Sequence, residues 1–127
     1  DSRSSVKSLK DHIVNQSKLL ADALGCQFET DCDYPEWPYN PHSTIRKVFE
    51  QVYKKKYGTD IEVIAVHAGI ECGIFMDKIP GLDAISIGPD MYNVHTPDEH
   101  LSIPSTLNNW TYFLSVLEEM KDFSWSK

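Results

Sequence analysis

The chain has 127 residues, of which 41% are hydrophobic and 24% are charged, and its formal net charge is −7. These values indicate a packed core, the size of one domain or of one lobe with a piece of another, and they exclude a disordered chain. The negative charge and the lack of an apolar run near the roughly 20 residues that span a bilayer argue against nucleic-acid and membrane partners.

Three cysteines, Cys26, Cys32 and Cys72, occur without a CxxC spacing. An odd number without that spacing supports neither a disulfide framework nor a zinc knuckle. Reduced thiols are typical of proteins in a reducing compartment, so we expect a cytoplasmic location.

The first part of the sequence predicts a strand, a helix and a second strand. The chain starts at Asp1 without Met and in what resembles the middle of a strand, so we expect a piece of a longer protein. Apolar residues recur at helical spacing over residues 6–24, and Gly25 is a suitable residue to end that helix. Residues 26–30 then alternate between apolar and polar, which is typical of a half-buried strand.

A segment rich in proline and aromatic residues, 31–41, separates this part from the rest. Its sequence, DCDYPEWPYNP, holds three prolines and three aromatic residues without a regular period. Proline fixes its own φ and favours extended geometry in the residue before it, so an ordered linker is expected. We therefore place the main domain boundary within this segment.

The remaining sequence predicts helices that alternate with two buried strands. The predicted elements are a helix at 43–58, a strand at 61–67, a short helix at 70–77, a strand at 84–87 and a helix at 104–121. Ser43 and Gly58 suit the two ends of the first helix, and Gly69 and Gly73 would allow a tight turn into the short one. This order favours an α/β fold with a largely parallel sheet.

Two polar loops follow the predicted strands. HAGIECG (67–73) leaves the first strand, and GPDMYNVHTPDE (88–99) leaves the second. Ligands of parallel sheets bind beyond the carboxyl ends of the strands. This arrangement would bring His67, Glu71 and His95 to one cleft.

Each of these three residues has two interpretations from the sequence alone. His95 offers a neutral imidazole, a good zinc ligand, but a metal site needs three or more protein ligands and a loop histidine is often simply solvated. Glu71 either complements a helix N-terminus or recognises a substrate ammonium group. His67 is either a half-buried histidine at a strand end or part of the site. Asp98 and Glu99 would hold the second nitrogen of His95 or serve as charges at the start of the next helix.

The motifs HAGIECG (67–73), KIPGLDAISIGPD (78–90) and VHTPDEHLSIPS (94–105) resemble the C-terminal part of aminoacyl-histidine dipeptidases, the carnosine-cleaving type. These enzymes belong to the dizinc carboxypeptidase/aminoacylase superfamily. The resemblance implies a cytoplasmic metallopeptidase with an α/β catalytic domain and an inserted lid domain that often forms a homodimer. Residues 1–36 then correspond to a strand–helix–strand piece of the lid, and 37–127 to the C-terminal part of the catalytic domain.

The resemblance also implies roles for individual residues. His95 corresponds to a zinc ligand, and His67, Gly69 and Glu71 correspond to substrate contacts. The superfamily's H-x-D motif, which supplies further metal ligands, does not occur here. Its Glu-Glu pair, which supplies a ligand and the general base, is also missing, because Glu118-Glu119 lies in the predicted surface helix and does not qualify. We therefore expect no catalytic residue in this chain and no activity from it alone. Asn93 and His100 stand where the family usually has a small residue and an arginine.

The predicted function is therefore part of a zinc-dependent dipeptidase that hydrolyses Xaa-His dipeptides and needs the upstream part of the same enzyme. Two alternatives stay open at this point. One is a non-catalytic α/β binding or interaction module without a metal site. The other is a different aminoacylase or carboxypeptidase activity of the same superfamily.

Overall fold

The chain folds into four helices and one short hairpin within the residues that the computed structural model describes, which are 2–66, 71–121 and 123. The helices are α1 (Lys7–Ala23), α2 (Thr44–Tyr57), α3 (Glu71–Lys78) and α4 (Ile103–Met120), and the strands are β1 (Met91–Tyr92) and β2 (His100–Leu101). All four predicted helices are confirmed to within a few residues at their ends. None of these helices is long and apolar enough to cross a membrane.

The described residues form two compact units, each built from two separate parts of the sequence. Residues within 1–42 and 64–84 make up the first unit, which holds α1 and α3. Residues within 43–63 and 85–127 make up the second unit, which holds α2, the hairpin and α4. The boundary predicted between residues 36 and 37 lies inside the first unit, and the division into lid and catalytic domains stays a prediction.

The second unit is built on the packing of α2 against α4. The Ser43 hydroxyl accepts a hydrogen bond from the Arg46 amide at 3.1 Å, and Gly58 ends α2 with a φ of 74°, as the sequence predicts. The buried core of this unit consists of Val48, Phe49, Val52, Tyr112 and Val116. Burial of these side chains provides most of the stabilisation of the helix pair, because helices of this length are marginal by themselves.

Tyr112 is the polar member of this core. Its hydroxyl donates a hydrogen bond to the carbonyl oxygen of Phe49 at 2.7 Å, and its ring meets those of Phe49 and Tyr53 edge to face. Burial raises the pKa of Tyr112 to about 12, because the phenolate would lose its hydration inside the core.

We expect this shift to make the second unit less stable as the pH rises from 10 towards 12. The unfolded chain releases the Tyr112 proton near pH 10 while the folded chain retains it, so the free energy of unfolding falls through this range. Tyr112→Phe removes this dependence and costs about 0.5–1.5 kcal/mol at neutral pH, because the hydrogen bond from the Tyr112 hydroxyl to the Phe49 carbonyl oxygen is lost. Urea unfolding at several pH values measures both effects, with the exposed Tyr34→Phe as control. If the free energy of unfolding of Tyr112→Phe falls between pH 10 and 12 as steeply as that of the parent chain, Tyr112 is not the group responsible.

The face of α4 opposite the core is also apolar. Its large side chains are 45–72% exposed and recur at helical spacing: Ile103, Leu107, Trp110, Leu114 and Leu117. A helix that is apolar on both faces is typical of an interior position in a larger protein. In the second unit, only the face with Tyr112 and Val116 is buried among the described residues.

The predicted strands are not formed in the described part of the chain. Residues 2–5, 26–30, 61–66 and 84–87 carry no strand, and the sheet formed by the described residues is the antiparallel pair of β1 and β2. A strand requires a neighbour for its hydrogen bonds, and neither the alternation nor the β-branched composition supplies that neighbour. The strand assignments are therefore wrong for this structure, and the parallel sheet stays a prediction.

Candidate functional site

His95 lies in the loop of the β1–β2 hairpin. Met91 pairs with Leu101 and Tyr92 with His100, so residues 93–99 form the connection. The Asn93 carbonyl oxygen accepts hydrogen bonds from the amide of Thr96 at 3.1 Å and from its hydroxyl at 2.7 Å. These bonds close the loop on itself and give His95 a fixed backbone, while its side chain is exposed.

Two residues of this loop have a left-handed backbone. The φ angles are 53° for Asn93 and 66° for His95. Glycine and asparagine adopt this conformation readily, so Asn93 fits a position at which the resembling family usually has a small residue. Histidine is also enriched in this conformation, but for any residue other than glycine the conformation costs on the order of 1–3 kcal/mol.

Glu99 offsets part of this cost. Its carboxylate oxygen Oε2 accepts a hydrogen bond from the His95 amide at 2.9 Å. The Glu99 carboxylate therefore holds the backbone of His95. The sequence had left two other roles open for Glu99, which were to hold the second ring nitrogen of His95 or to serve as a charge at the start of the next helix. The imidazole points outward from a loop whose geometry is set by Glu99 and Thr96.

The hairpin is fastened to the start of α4. The Ser102 amide donates to the Asp90 carbonyl oxygen at 3.0 Å, and the Asp90 amide donates to the Ser105 hydroxyl at 2.9 Å. The ring of His100 stacks on Tyr92 with centroids 5.2 Å apart. These contacts join the loop that carries His95 to a helix whose other end is in the core.

The described residues do not make a complete metal site. Within residues 2–66, 71–121 and 123, no three side chains of His, Cys, Asp or Glu are grouped so that they could hold a metal ion. Structural and catalytic zinc sites use three or four protein ligands. His95 can supply one of them, and a zinc ion would need the remaining ligands from elsewhere.

Glu71 is the first residue of α3 and is exposed. A carboxylate there is stabilised by the partial positive charge of the helix N-terminus, so this feature alone explains its position without a ligand. Burial raises the pKa of the neighbouring Cys72 thiol, and the Glu71 charge adds to the effect. Cys72 is therefore a poor nucleophile.

The other predicted substrate contacts, His67 and Gly69, lie outside the described residues. Glu71 belongs to the first unit and His95 to the second. The expectation that these residues face one cleft stays a prediction.

No family model matches the chain. It is 31% identical over 118 residues to the cytosol non-specific dipeptidase of Escherichia coli (strain K12), an alignment that covers 93% of this chain and 24% of that protein. The chain is homologous to dipeptidases. Its structure is similar to the crystal structure of the aminoacylhistidine dipeptidase from Vibrio alginolyticus, with a TM-score of 0.71 and 30% identity over 91% of this chain and 24% of that chain.

The chain spans about a quarter of the length of both relatives. The resemblance predicted from the three sequence motifs is confirmed, and so is a fold shared with part of a dipeptidase. About three quarters of each relative has no counterpart in this chain.

Two features of the structure were not predicted from the sequence. His100 carries no local motif, yet it stacks on Tyr92 and helps to fix the hairpin. Gly73 was expected in a turn, but it lies inside α3 and is buried against the 35–36 backbone. A weak signal for Gly73 was available, because glycine inside a short predicted helix often marks a close backbone approach.

Proposed function

We propose that this chain is part of a zinc-dependent dipeptidase that hydrolyses Xaa-His dipeptides. The observation that supports this most strongly is the similarity to dipeptidases over more than nine tenths of the chain. One of those relatives is an aminoacylhistidine dipeptidase, which agrees with the motifs around His67 and His95. On this proposal residues 1–36 belong to a lid domain and 37–127 to the catalytic domain, in a homodimeric cytoplasmic enzyme.

His95 is proposed as one zinc ligand of that enzyme. Its imidazole is exposed, and its backbone is held by Glu99 and by the closed loop around Thr96. A ligand on a rigid loop loses little conformational freedom when it binds a metal. The other ligands and the general-base glutamate belong to the rest of the polypeptide. Zinc, when bound, supplies an activated water for attack on the peptide carbonyl.

Glu71 is proposed as a contact for the substrate, together with His67 and Gly69. A carboxylate at an exposed helix start suits the ammonium group of a dipeptide, because the two charges attract and the site remains open to water. His67 and Gly69 enter this proposal from the sequence motif alone. The 127-residue chain by itself is proposed to be inactive, because it holds one metal ligand of the required set.

The proposal is tested by comparing the complete gene product with the 127-residue chain. We expect the complete enzyme to hydrolyse β-alanyl-histidine, to lose this activity in the presence of a chelator and to regain it with zinc. The isolated chain should show no turnover. Activity that survives chelation, or turnover by the isolated chain, would refute the corresponding part of the proposal.

A panel of dipeptides with and without a C-terminal histidine measures the specificity. The Escherichia coli relative is described as non-specific, so equal rates across the panel would replace Xaa-His specificity by a broad one. A protein without hydrolytic activity on any dipeptide would favour the interaction module instead. Activity on acylated amino acids alone would favour an aminoacylase.

A further inference from the structure

We infer that Lys10 is a positioning residue that holds α3, and with it Glu71, through the segment 33–36. The inference deepens the proposed function, because Glu71 is a proposed substrate contact there. It concerns the first unit alone, in which α1, this segment and α3 all lie.

Lys10 is the buried charge of α1. Its side chain is 11% exposed, although the apolar residues Leu9 and Ile13 on the same helix are largely exposed. Its ammonium group lies 2.6 Å from Asp33 Oδ1, 2.7 Å from the Tyr34 carbonyl oxygen and 2.9 Å from Glu36 Oε1. An ammonium group has three donors, and here all three have an acceptor in one short segment.

Charge reinforces this arrangement. The hydrogen bonds that Lys10 donates to Asp33 and then to Glu36 raise the pKa of Lys10, and the same bonds lower the pKa of both carboxyl groups. Asp33 is 77% exposed, so water screens its attraction, whereas the Glu36 side chain is only 18% exposed. Glu36 and the Tyr34 carbonyl are therefore the partners that matter most.

The backbone of the same segment also lies against α3, at Gly73. A Cβ atom on Gly73 would lie 2.7 Å from the carbonyl oxygen of Pro35 and 3.3 Å from that of Glu36. The first distance is shorter than any real contact, and both neighbours are backbone atoms that cannot move aside as a side chain would. The first turn of α3 is thus seated directly on residues 35–36.

Glu36 links the two contacts. Its carboxylate binds Lys10, and its carbonyl oxygen faces Gly73. Pro35 stiffens the connection, because its ring fixes φ. Loss of the Lys10 ammonium group would leave partly buried acceptors without their donor, and the segment would then shift away from the backbone of α3.

Cys72 provides a reporter for this effect. It lies between Glu71 and Gly73 and is half-buried, and burial raises its pKa, so it should react slowly with DTNB while α3 is seated. Cys26 and Cys32 are exposed and are replaced by serine in the parent chain. The rate of Cys72 modification at pH 8 is then measured together with amide hydrogen exchange of every helix.

We expect Lys10→Met to raise the rate of Cys72 modification by about tenfold or more, equivalent to the loss of one hydrogen bond to a charged group. Gly73→Ala should raise it as well, and Lys10→Arg should keep it near the parent value, because the guanidinium retains the charge. Lys7→Met is the matched control, since Lys7 is an exposed lysine of the same helix that pairs with Asp11. Faster exchange should be confined to residues 33–36 and α3.

An unchanged rate in Lys10→Met would overturn the inference, and so would a Lys10→Arg variant that reacts as fast as Lys10→Met. Exchange that rises equally in all helices would show a general loss of stability and would also overturn it. If Lys10→Met does not fold, Glu36→Gln is the deciding variant, because it keeps a hydrogen-bonding side chain. Its rate of Cys72 modification should then be higher than that of the parent but by less than about tenfold, and a rate equal to that of the parent would overturn the inference. These readouts do not involve hydrolysis, so failure here and failure of the proposed function are distinguishable.

Discussion

His95→Asn in the complete enzyme is expected to lower kcat/KM for β-alanyl-histidine by more than about 100-fold, because loss of a direct ligand should exceed the effect typical of outer-shell partners. Asparagine tolerates the left-handed backbone that His95 adopts, so the loop should keep its shape. The amide is a poor replacement for the imidazole as a zinc ligand. Bound zinc, measured by mass spectrometry of the purified protein, should fall together with activity.

The control for this experiment is His100→Asn in the same hairpin. His100 stacks on Tyr92, so its loss should cost about 0.5–1.5 kcal/mol of stability, as for other ring pairs. Zinc content and kcat/KM should stay close to those of the wild type. If His95→Asn retains its zinc and its activity, His95 is not a ligand and the loop has another role.

Val116→Asp is expected to unfold the second unit. Val116 is fully buried between α2 and α4, and an unpaired carboxylate at this position would have to be protonated or hydrated. Such changes cost more than about 4 kcal/mol, which is comparable with the whole stability of a small domain. Thermal unfolding followed by circular dichroism, and amide exchange of α2 and α4, should show the loss.

The next residue of α4 provides the matched control. Leu117→Asp introduces the same side chain on the exposed apolar face, where Leu117 is 45% exposed. Water hydrates the new charge there, so the change in unfolding free energy should stay below about 1 kcal/mol. Equal destabilisation by the two variants would mean that both faces of α4 are covered in the isolated chain.

The helices could be predicted because their signals are local. Ser43 and Gly58 lie at the two ends of α2, and both act as their residue types predict. Apolar spacing likewise located α4, and Pro104 fits its first turn. In each case the residues that define the helix lie within it or directly beside its ends.

The strands and the contacts of the site depend on partners that are distant in sequence. Residues 61–66 have the composition of a strand, yet composition does not supply a neighbouring strand. The Lys10 contacts join residues 23 to 26 positions apart, and no local pattern announces them. For His95 the sequence motif predicted the residue and its loop, whereas the left-handed backbone follows from the closure by Thr96 and Glu99.

The interleaving of the two units has a consequence for how the protein is made. A ribosome releases residues 43–63, which belong to the second unit, before the first unit has received residues 64–84. The second unit in turn cannot form its core until α4 has been synthesised. The hydrogen bond from Tyr112 to Phe49, for example, joins residues 63 positions apart. Loop closure of this length carries an entropic cost that only late contacts offset. Neither unit can therefore fold completely until its second sequence segment has been synthesised. Until then α1 and α2 lack their packing partners and remain exposed to chaperones.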